Sequence, residues 1–226
     1  MRRAVCLDLD GTLIDSAPDL AAALNRRLAA AGLAPHSVAA VSRMIGDGAR
    51  VLVTRGFAAC GRPLDDATLT AETAASLEDY EANALVETRP YPEVEPTLAA
   101  LREAGFTLAV VTNKPEAAAR LVLRELGLDR YLETVAGGDT FAAHKPDPRH
   151  LSGALAQLGI APERAVMVGD HRNDLLAARG AGVAAIYARF GYSDEDPAAF
   201  GAAASIARFA DLPSALDQVF SRVTGG

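Results

Sequence analysis

The chain has 226 residues, of which 50% are apolar and 23% charged, so it can bury the core of one large domain or two modest ones. Its net charge of -7 argues against a basic nucleic-acid binder, and two cysteines are too few for a disulfide framework. No apolar run is long enough to span a membrane, and Asp8 and Asp10 interrupt the apolar stretch that a secretory signal would need. We therefore expect a cytoplasmic protein that binds neither nucleic acid nor membrane.

An apolar run beginning at Val5 predicts a buried strand that ends abruptly in Asp8-Leu9-Asp10-Gly11-Thr12. Side chains of a strand alternate with a period of two, so Asp8 and Asp10 should leave the strand on the same side. Two acids held that close repel each other unless a cation lies between them or one carries a proton. Taken alone, however, Asp-X-Asp-Gly is also an ordinary sequence for a strand that runs into a turn.

Residues 16–87 are predicted to form an all-helical insertion, a compact cap or second domain. Its four helices are expected at about residues 18–31, 37–44, 49–61 and 65–82, with Gly46-Asp47-Gly48 interrupting the pattern between the second and the third. No convincing strand occurs between residues 18 and 83. Residues 88–92 contain two prolines and are expected to be a linker, because proline interrupts both helices and strand ladders.

From residue 93 onward, predicted helices and apolar strands alternate, which favours a parallel sheet covered by helices on both faces. The helices are expected at residues 93–104, 115–126, 148–158 and 174–181, and the strands at 106–111, 134–136, 165–168 and 183–187. A loop at 189–197 and a helix at 212–222 complete the chain. The predicted fold class is therefore α/β, with residues 1–15 and 88–226 forming a Rossmann-like core and residues 16–87 a helical cap inserted after the first strand.

Functional side chains in such sheets gather at the carboxyl ends of the strands. Polar residues follow four of the predicted strands, either directly or in the loop beyond: Asp8 and Asp10, Thr112 with Asn113 and Lys114, Lys145, and Asp170 with Asp174. Separate turn signals would not be expected to converge in this way, so we expect one acidic site. Asp174 has a simpler alternative role as a first-turn helix acid, and Lys114 is interpreted as a solvated surface charge. His144 and His171 lack a partner histidine at metal-ligand spacing.

These residues and their order resemble the motifs of the haloacid-dehalogenase-like hydrolase superfamily over essentially the whole chain. Asp8-X-Asp10-Gly11-Thr12 is similar to its first motif, and the later ones correspond to Thr112-Asn113, Lys145, and Gly169-Asp170 with Asp174. The helical insertion is similar to the small α-helical cap of the superfamily. Within it, residues 45–53, 111–115, 137–139 and 172–174 look most like those of bacterial phosphoglycolate phosphatases. His171 departs from the pattern, since many relatives have serine there.

The resemblance implies a Mg²⁺ ion bound by Asp8, Asp170 and the backbone carbonyl of Asp10. It further implies that Asp8 attacks phosphorus to form an aspartyl-phosphate, while Asp10 donates a proton to the leaving alkoxide and later takes one from water. A departing halide would need no such proton, which disfavours dehalogenation.

The remaining motif residues are implied to bind and neutralise the phosphoryl group. Thr112 and the backbone amide of Asn113 would hold phosphoryl oxygens, Lys145 would neutralise Asp8 or the phosphate, and Asp174 would position Lys145 or metal-bound waters.

Specificity is expected to reside in the cap. A small acid such as glycolate presents a carboxylate away from its phosphate, and the helix amides after Gly46-Asp47-Gly48, or Arg43 or Arg50, could receive it. Equally, Gly46 and Gly48 could form only a helix-breaking turn between solvent-facing arginines.

The resemblance thus implies Mg²⁺-dependent hydrolysis of 2-phosphoglycolate to glycolate and phosphate, with a small phosphorylated metabolite as the partner of a monomer or homodimer. Three alternatives remain open: a phosphatase of another small ester such as a sugar phosphate or pyrophosphate, a phosphomutase, and a non-catalytic binding protein on the same scaffold.

Overall fold

A computed structural model of the chain describes residues 2–83 and 85–224, with side chains described as far as residue 222. The strands in chain order are β1 (Arg3–Leu7), β2 (Ile14–Asp15), β3 (Arg89–Pro90), β4 (Phe106–Val111), β5 (Thr134–Ala136), β6 (Ala165–Gly169), β7 (Ala184–Ala188) and β8 (Ala204–Ile206). The helices are α1 (Ala17–Ala30), α2 (Val38–Ser42), α3 (Ala49–Ala59), α4 (Asp66–Ala82), α5 (Val94–Glu103), α6 (Glu116–Glu125), α7 (Pro148–Leu158), α8 (Arg172–Gly180) and α9 (Leu212–Thr224).

Six of the strands form one parallel sheet in the order β5-β4-β1-β6-β7-β8. The first strand of the chain is therefore central, with β4 on one side and β6 on the other. Because all three run in the same direction, their carboxyl ends meet at one edge. This confirms the predicted α/β class with a parallel sheet.

The sheet is covered on both faces, as its apolar strands predict. In β1, Val5 and Leu7 belong to one buried cluster, with residues of α5 and α9. Cys6, between them, belongs to a second cluster with residues of α7 and α8. This alternation is the period of two expected for a strand buried on both sides. None of the helices in the described residues combines the length and the apolarity needed to cross a bilayer.

Helices α1 to α4 occupy the chain between β2 and β3 and have an apolar cluster of their own, which includes Leu24, Leu28, Val53 and Phe57. Of the described residues between 18 and 83, none is in a strand, as expected. The expectation of a strand-free linker at 88–92 was wrong, because β3 pairs antiparallel with β2. A two-residue edge ladder tolerates Pro90, since an edge strand does not require every N–H group.

Two further features near the sheet were not predicted. The short strand β8 extends the sheet next to β7, and its three residues are too few to produce a recognisable pattern. Helix α8 begins two residues before the predicted start. The Nδ1 atom of His171 accepts a hydrogen bond from the Asn173 amide, and the Asp174 carboxylate accepts one from the His171 amide, which caps the helix at that point.

A buried carboxylate joins the two ends of the helical insertion. Asp19 of α1 is 4% exposed and accepts hydrogen bonds from the amides of Glu87 and Thr88 and from the Thr88 hydroxyl, at 2.6 to 3.2 Å. These contacts link the first helix of the insertion to the segment that leads out of it.

We expect Asp19→Ala to lower the free energy of unfolding by about 2–3 kcal/mol, because it leaves buried donors without an acceptor. Asp66→Ala is the control: Asp66 forms an exposed ion pair with Arg50 and should cost less than about 1 kcal/mol. Urea unfolding followed by circular dichroism measures both variants. Equal losses would contradict a structural role for the Asp19 contacts.

Candidate active site

Three buried carboxylates meet at the carboxyl ends of the central strands. Asp8 directly follows β1, Asp170 directly follows β6, and Asp174 lies in the first turn of α8. One potential ligand atom from each of them lies within 4.8 Å of the others. Pairing of the Asp8 amide with the Val168 carbonyl, at 2.9 Å, keeps the two strand ends in register. The structure therefore brings acids from distant parts of the sequence close enough to share one cation.

A buried ammonium group balances two of these acids. Lys145 is 1% exposed, and its Nζ lies 2.9 Å from Asp8 Oδ1 and 2.6 Å from Asp174 Oδ1. The same atom donates to the Val111 carbonyl at 2.7 Å. Burial by itself lowers the pKa of Lys145, but the carboxylates of Asp174 and Asp8 outweigh it and raise the pKa above its ordinary value. Lys145 is thus a fixed positive charge, and Asp174 both caps its helix and positions this lysine.

Asp170 has no cationic partner of this kind among the described residues. Its carboxylate accepts hydrogen bonds from the Thr12 hydroxyl at 3.0 Å and from the Tyr192 amide at 2.8 Å. Burial, together with the charges of Asp8 and Asp174, raises the pKa of Asp170 to about 8. A Cβ atom on Gly11 would lie 2.4 Å from Asp170 Oδ2, so the turn after β1 must be glycine. Closely spaced carboxylate oxygens that repel one another are a donor set suited to a hard divalent cation.

The Asp10 carboxylate is oriented differently from these three. Its Oδ1 accepts a hydrogen bond from the Ser16 hydroxyl at 2.6 Å and lies 3.1 Å from Lys114 Nζ. The interpretation of Lys114 as a solvated surface charge was wrong, because this residue is 7% exposed and its ammonium lies 4.2 Å from the centre of the Tyr80 ring. Burial by itself lowers the pKa of Lys114, but Asp10 and Tyr80 raise it overall. The position of Lys114 beyond β4, next to β1, was the signal that it could reach Asp10.

Thr112 and Asn113 follow β4 and line the same cavity as Asp8 and Asp10. The Thr112 hydroxyl accepts a hydrogen bond from the Lys114 amide at 3.2 Å. The side chain of Asn113 has a structural partner: its Nδ2 donates to the Gly46 carbonyl at 3.0 Å and to the Lys145 carbonyl at 2.9 Å.

The Gly46-Asp47 turn is attached to the sheet edge by a second amide as well. Asn173 Nδ2 donates to the Gly46 carbonyl at 3.2 Å and to Asp47 Oδ1 at 2.7 Å. Gly46 and Gly48 both line the cavity. Gly48 has φ +88°, and a Cβ atom there would lie 3.3 Å from the Asn113 carbonyl. At Gly46 and Gly48 it is therefore the backbone, without a side chain, that lies close to the site.

The two arginines predicted from the cap do not line this cavity. Arg50 is exposed, contacts Asp66 at 2.8 Å and donates to Thr70 on α4. Arg43 is also exposed and borders a separate groove beside His171 and Tyr192. Sequence spacing placed them near the Gly46 turn but did not determine the direction of their side chains.

Tyr192, in the predicted 189–197 loop, was missed as a site residue. Its backbone amide donates to Asp170, and its hydroxyl accepts hydrogen bonds from the amides of Ser16 and Ala17 while donating to Asp15. The loop follows β7, so the strand-end rule applied to that strand as well would have suggested it.

Binding of a divalent cation near pH 7 should release a proton, because Asp170 with a pKa of about 8 is largely protonated before the cation binds. Calorimetric titrations with Mg²⁺ in buffers of different ionisation enthalpy measure this release. It should diminish as the pH rises above 8, and Asp170→Asn should abolish it. Binding with no proton release at pH 7 would contradict the proposed ionisation of the site.

A parallel sheet with acids at its strand ends is shared by several classes of protein, and a family comparison identifies this one as a hydrolase. The model of the haloacid dehalogenase-like hydrolase family matches residues 2–182. The chain belongs to this family.

Proteins that are similar to this chain carry names that are more specific than the name of the family. The chain is 46% identical over 187 residues to a phosphoglycolate phosphatase of Agrobacterium fabrum, covering 83% of this chain and 80% of the relative. It is 40% identical over 224 residues to one of Mesorhizobium japonicum, covering 99% of both. Among solved structures, a "predicted phosphoglycolate phosphatase" of Haemophilus somnus superposes with a TM-score of 0.88 at 32% identity, covering 94% of this chain and 97% of that one.

Proposed function

We propose that this protein hydrolyses 2-phosphoglycolate to glycolate and phosphate in a Mg²⁺-dependent reaction through an aspartyl-phosphate on Asp8. The broader class, a phosphoric monoester hydrolase, follows from the family and from relatives named phosphoglycolate phosphatase over most of the chain. The observation that carries the finer proposal is the placement of Asp8: it lines the cavity, contacts Lys145 and lies beside Asp170.

Asp8 and Asp170 would hold the metal ion, together with the backbone carbonyl of Asp10. Asp174 belongs to the same cluster, but its shortest contact is to Lys145, so we assign it to that lysine. When bound, Mg²⁺ would neutralise negative charge around the phosphoryl group.

Asp8 is the proposed nucleophile. Its Oδ1 accepts a hydrogen bond from the Leu9 amide at 2.8 Å and contacts Lys145, which fixes the orientation of the carboxylate. We therefore assign the attack to Oδ2. A bond forms between this oxygen and phosphorus as the bond from phosphorus to the glycolate oxygen breaks.

Asp10 is the proposed proton donor and acceptor. It lines the same cavity, and its hydrogen bond with Ser16 and its contact with Lys114 orient the carboxylate. The departing alkoxide takes a proton from Asp10. A water molecule then returns a proton to Asp10 as it attacks the aspartyl-phosphate, which releases phosphate and restores Asp8.

We further propose that residues 16–87 act as a cap over a core of residues 1–15 and 88–226. Leu20, Leu52 and Tyr80 of the insertion line the cavity that Asp8 and Asp10 line from the sheet. An apolar roof of this kind excludes water and strengthens the electrostatic interactions beneath it. It also offers few partners for the hydroxyl groups of a sugar phosphate, which favours a small substrate.

Asp8→Asn should lower kcat for 2-phosphoglycolate by at least about 1,000-fold, because the amide cannot act as the nucleophile. Asp66→Asn, on the exposed surface, is the matched control and should retain activity. Mass spectrometry of acid-quenched wild-type enzyme should locate the phosphoryl group on Asp8. Unchanged phosphate release by Asp8→Asn would refute the mechanism.

Steady-state kinetics should give the highest kcat/KM for 2-phosphoglycolate in a panel that includes sugar phosphates and pyrophosphate. Phosphate should be released without a bisphosphate intermediate, which separates hydrolysis from mutase chemistry. A higher kcat/KM for another ester would reject the proposed substrate while leaving the phosphatase class intact.

A further inference from the structure

The cavity above Asp8 has an unusual charge pattern for a site that would accept a substrate with two anionic groups, a phosphate and a carboxylate. The residues that line it include the carboxylates of Asp8 and Asp10, and among its described lining residues Lys114 is the one cation. The rest of the wall is largely apolar, including Leu20, Leu52 and Leu77. A substrate carboxylate that left water to enter this space would need a cationic partner, because burying an unpaired charge is strongly unfavourable.

The other cations near the site are not available for this purpose. Lys145 already interacts with Asp8, Asp174 and the Val111 carbonyl, which accounts for its three donors. Arg43 and Arg50 are exposed and do not line the cavity.

Lys114, by contrast, has capacity for a further acceptor. Its carboxylate partner among the described residues is Asp10, with Nζ at 3.1 and 3.3 Å from the two oxygens. Its other side-chain contact is Tyr80, through the face of the ring and the hydroxyl oxygen. A compact ammonium with three donors can therefore bind a second anion without leaving Asp10.

A second polar group in the cavity has no acceptor for its proton. Tyr80 is 3% exposed and lines the same space, and its hydroxyl interacts with the Lys114 ammonium, which can only donate, but has no hydrogen-bond acceptor among the described residues. Buried hydroxyls are normally hydrogen-bonded, so this one calls for an explanation. Burial raises the pKa of Tyr80, so the phenol remains protonated near neutral pH and is able to donate.

We infer that Lys114 and the Tyr80 hydroxyl together form the subsite for the carboxylate of the substrate. The ammonium supplies the charge and the phenol a directed hydrogen bond, at a distance from the phosphoryl group set by Asp8 and Thr112. The substrate class is thus a phosphate ester of a short hydroxy acid, recognised by its second anion. This assignment rests on the proposed function and locates its specificity at the end of β4 and on α4, away from the cap arginines.

A matched pair of substrates tests the subsite. 2-Phosphoglycolate carries the carboxylate, whereas 2-hydroxyethyl phosphate replaces it with a neutral hydroxymethyl group of similar size. The measured quantity is the ratio of kcat/KM for the two esters. Lys114→Met and Tyr80→Phe are the test variants, with circular dichroism to check folding, and Arg50→Met removes the rival cation.

Lys114→Met should reduce the ratio by about 10-fold to 100-fold, mainly through a higher KM for 2-phosphoglycolate, since a charge-assisted hydrogen bond is lost. Tyr80→Phe keeps the ring beneath the ammonium and should reduce the ratio about 3-fold to 10-fold. Arg50→Met should leave it unchanged. Any activity that Lys114 supports through Asp10 cancels in the ratio, because both esters need the same proton transfer.

If Lys114→Met and Tyr80→Phe lower kcat/KM equally for both esters, or leave both unchanged, the subsite is wrong while the proposed function stands. A fall in the ratio with Arg50→Met instead would likewise overturn it. If the wild-type enzyme does not prefer 2-phosphoglycolate to 2-hydroxyethyl phosphate, the proposed function itself fails. Should Lys114→Met not fold, Tyr80→Phe, which removes one oxygen atom, decides the outcome by the same ratio.

Discussion

The arrangement of the site depends on one buried ion pair network, in which Lys145 joins Asp8 to Asp174. Removing one partner from a buried pair costs about 3–5 kcal/mol, because the remaining charge is left unpaired. Loss of Lys145 would leave both Asp8 and Asp174 without their cationic partner. The network also connects strand β1 to helix α8, so the side chain that neutralises the site holds its parts together. Asp170, outside this pairing, has no cation to balance it in the described part of the chain, and its raised pKa means that a bound cation would be needed to keep it ionised near neutral pH.

Parallel strands explain why these residues meet. The order β4-β1-β6 places three carboxyl ends side by side, and three of the four sequence motifs occur at those ends. The alternating burial of Val5, Cys6 and Leu7 could be predicted, since a continuous apolar run between loops indicates a strand covered on both faces. The parallel class, the helical insertion and the convergence of Asp8 and Asp170 were therefore accessible from local patterns and one topological rule.

The direction of individual side chains could not be predicted from the sequence in the same way. Lys114, in the loop after β4, was interpreted as a surface charge because nothing in its sequence neighbourhood reveals Tyr80, which lies in helix α4 and contacts the ammonium through its ring. Arg50 illustrates the reverse case: its proximity to Gly48 suggested a possible site residue, but in the structure it contacts Asp66, in line with the alternative of a solvent-facing arginine. Tyr192 was missed because its contribution to Asp170 is a backbone amide, and any residue type except proline could supply it. Contacts between distant elements decide all three cases.

The Gly46 carbonyl accepts hydrogen bonds from the side-chain amides of both Asn113 and Asn173. This has a consequence for how proteins with this scaffold can acquire new substrates. Part of the attachment of the insertion is made to the main chain, so it does not depend on which side chains the neighbouring helices present. Wall residues such as Leu52 can then be exchanged, and a different ester accommodated, without rebuilding that anchor. The contacts that attach the insertion are therefore separate from the residues that would select the substrate, so a few substitutions are enough to change the substrate preference.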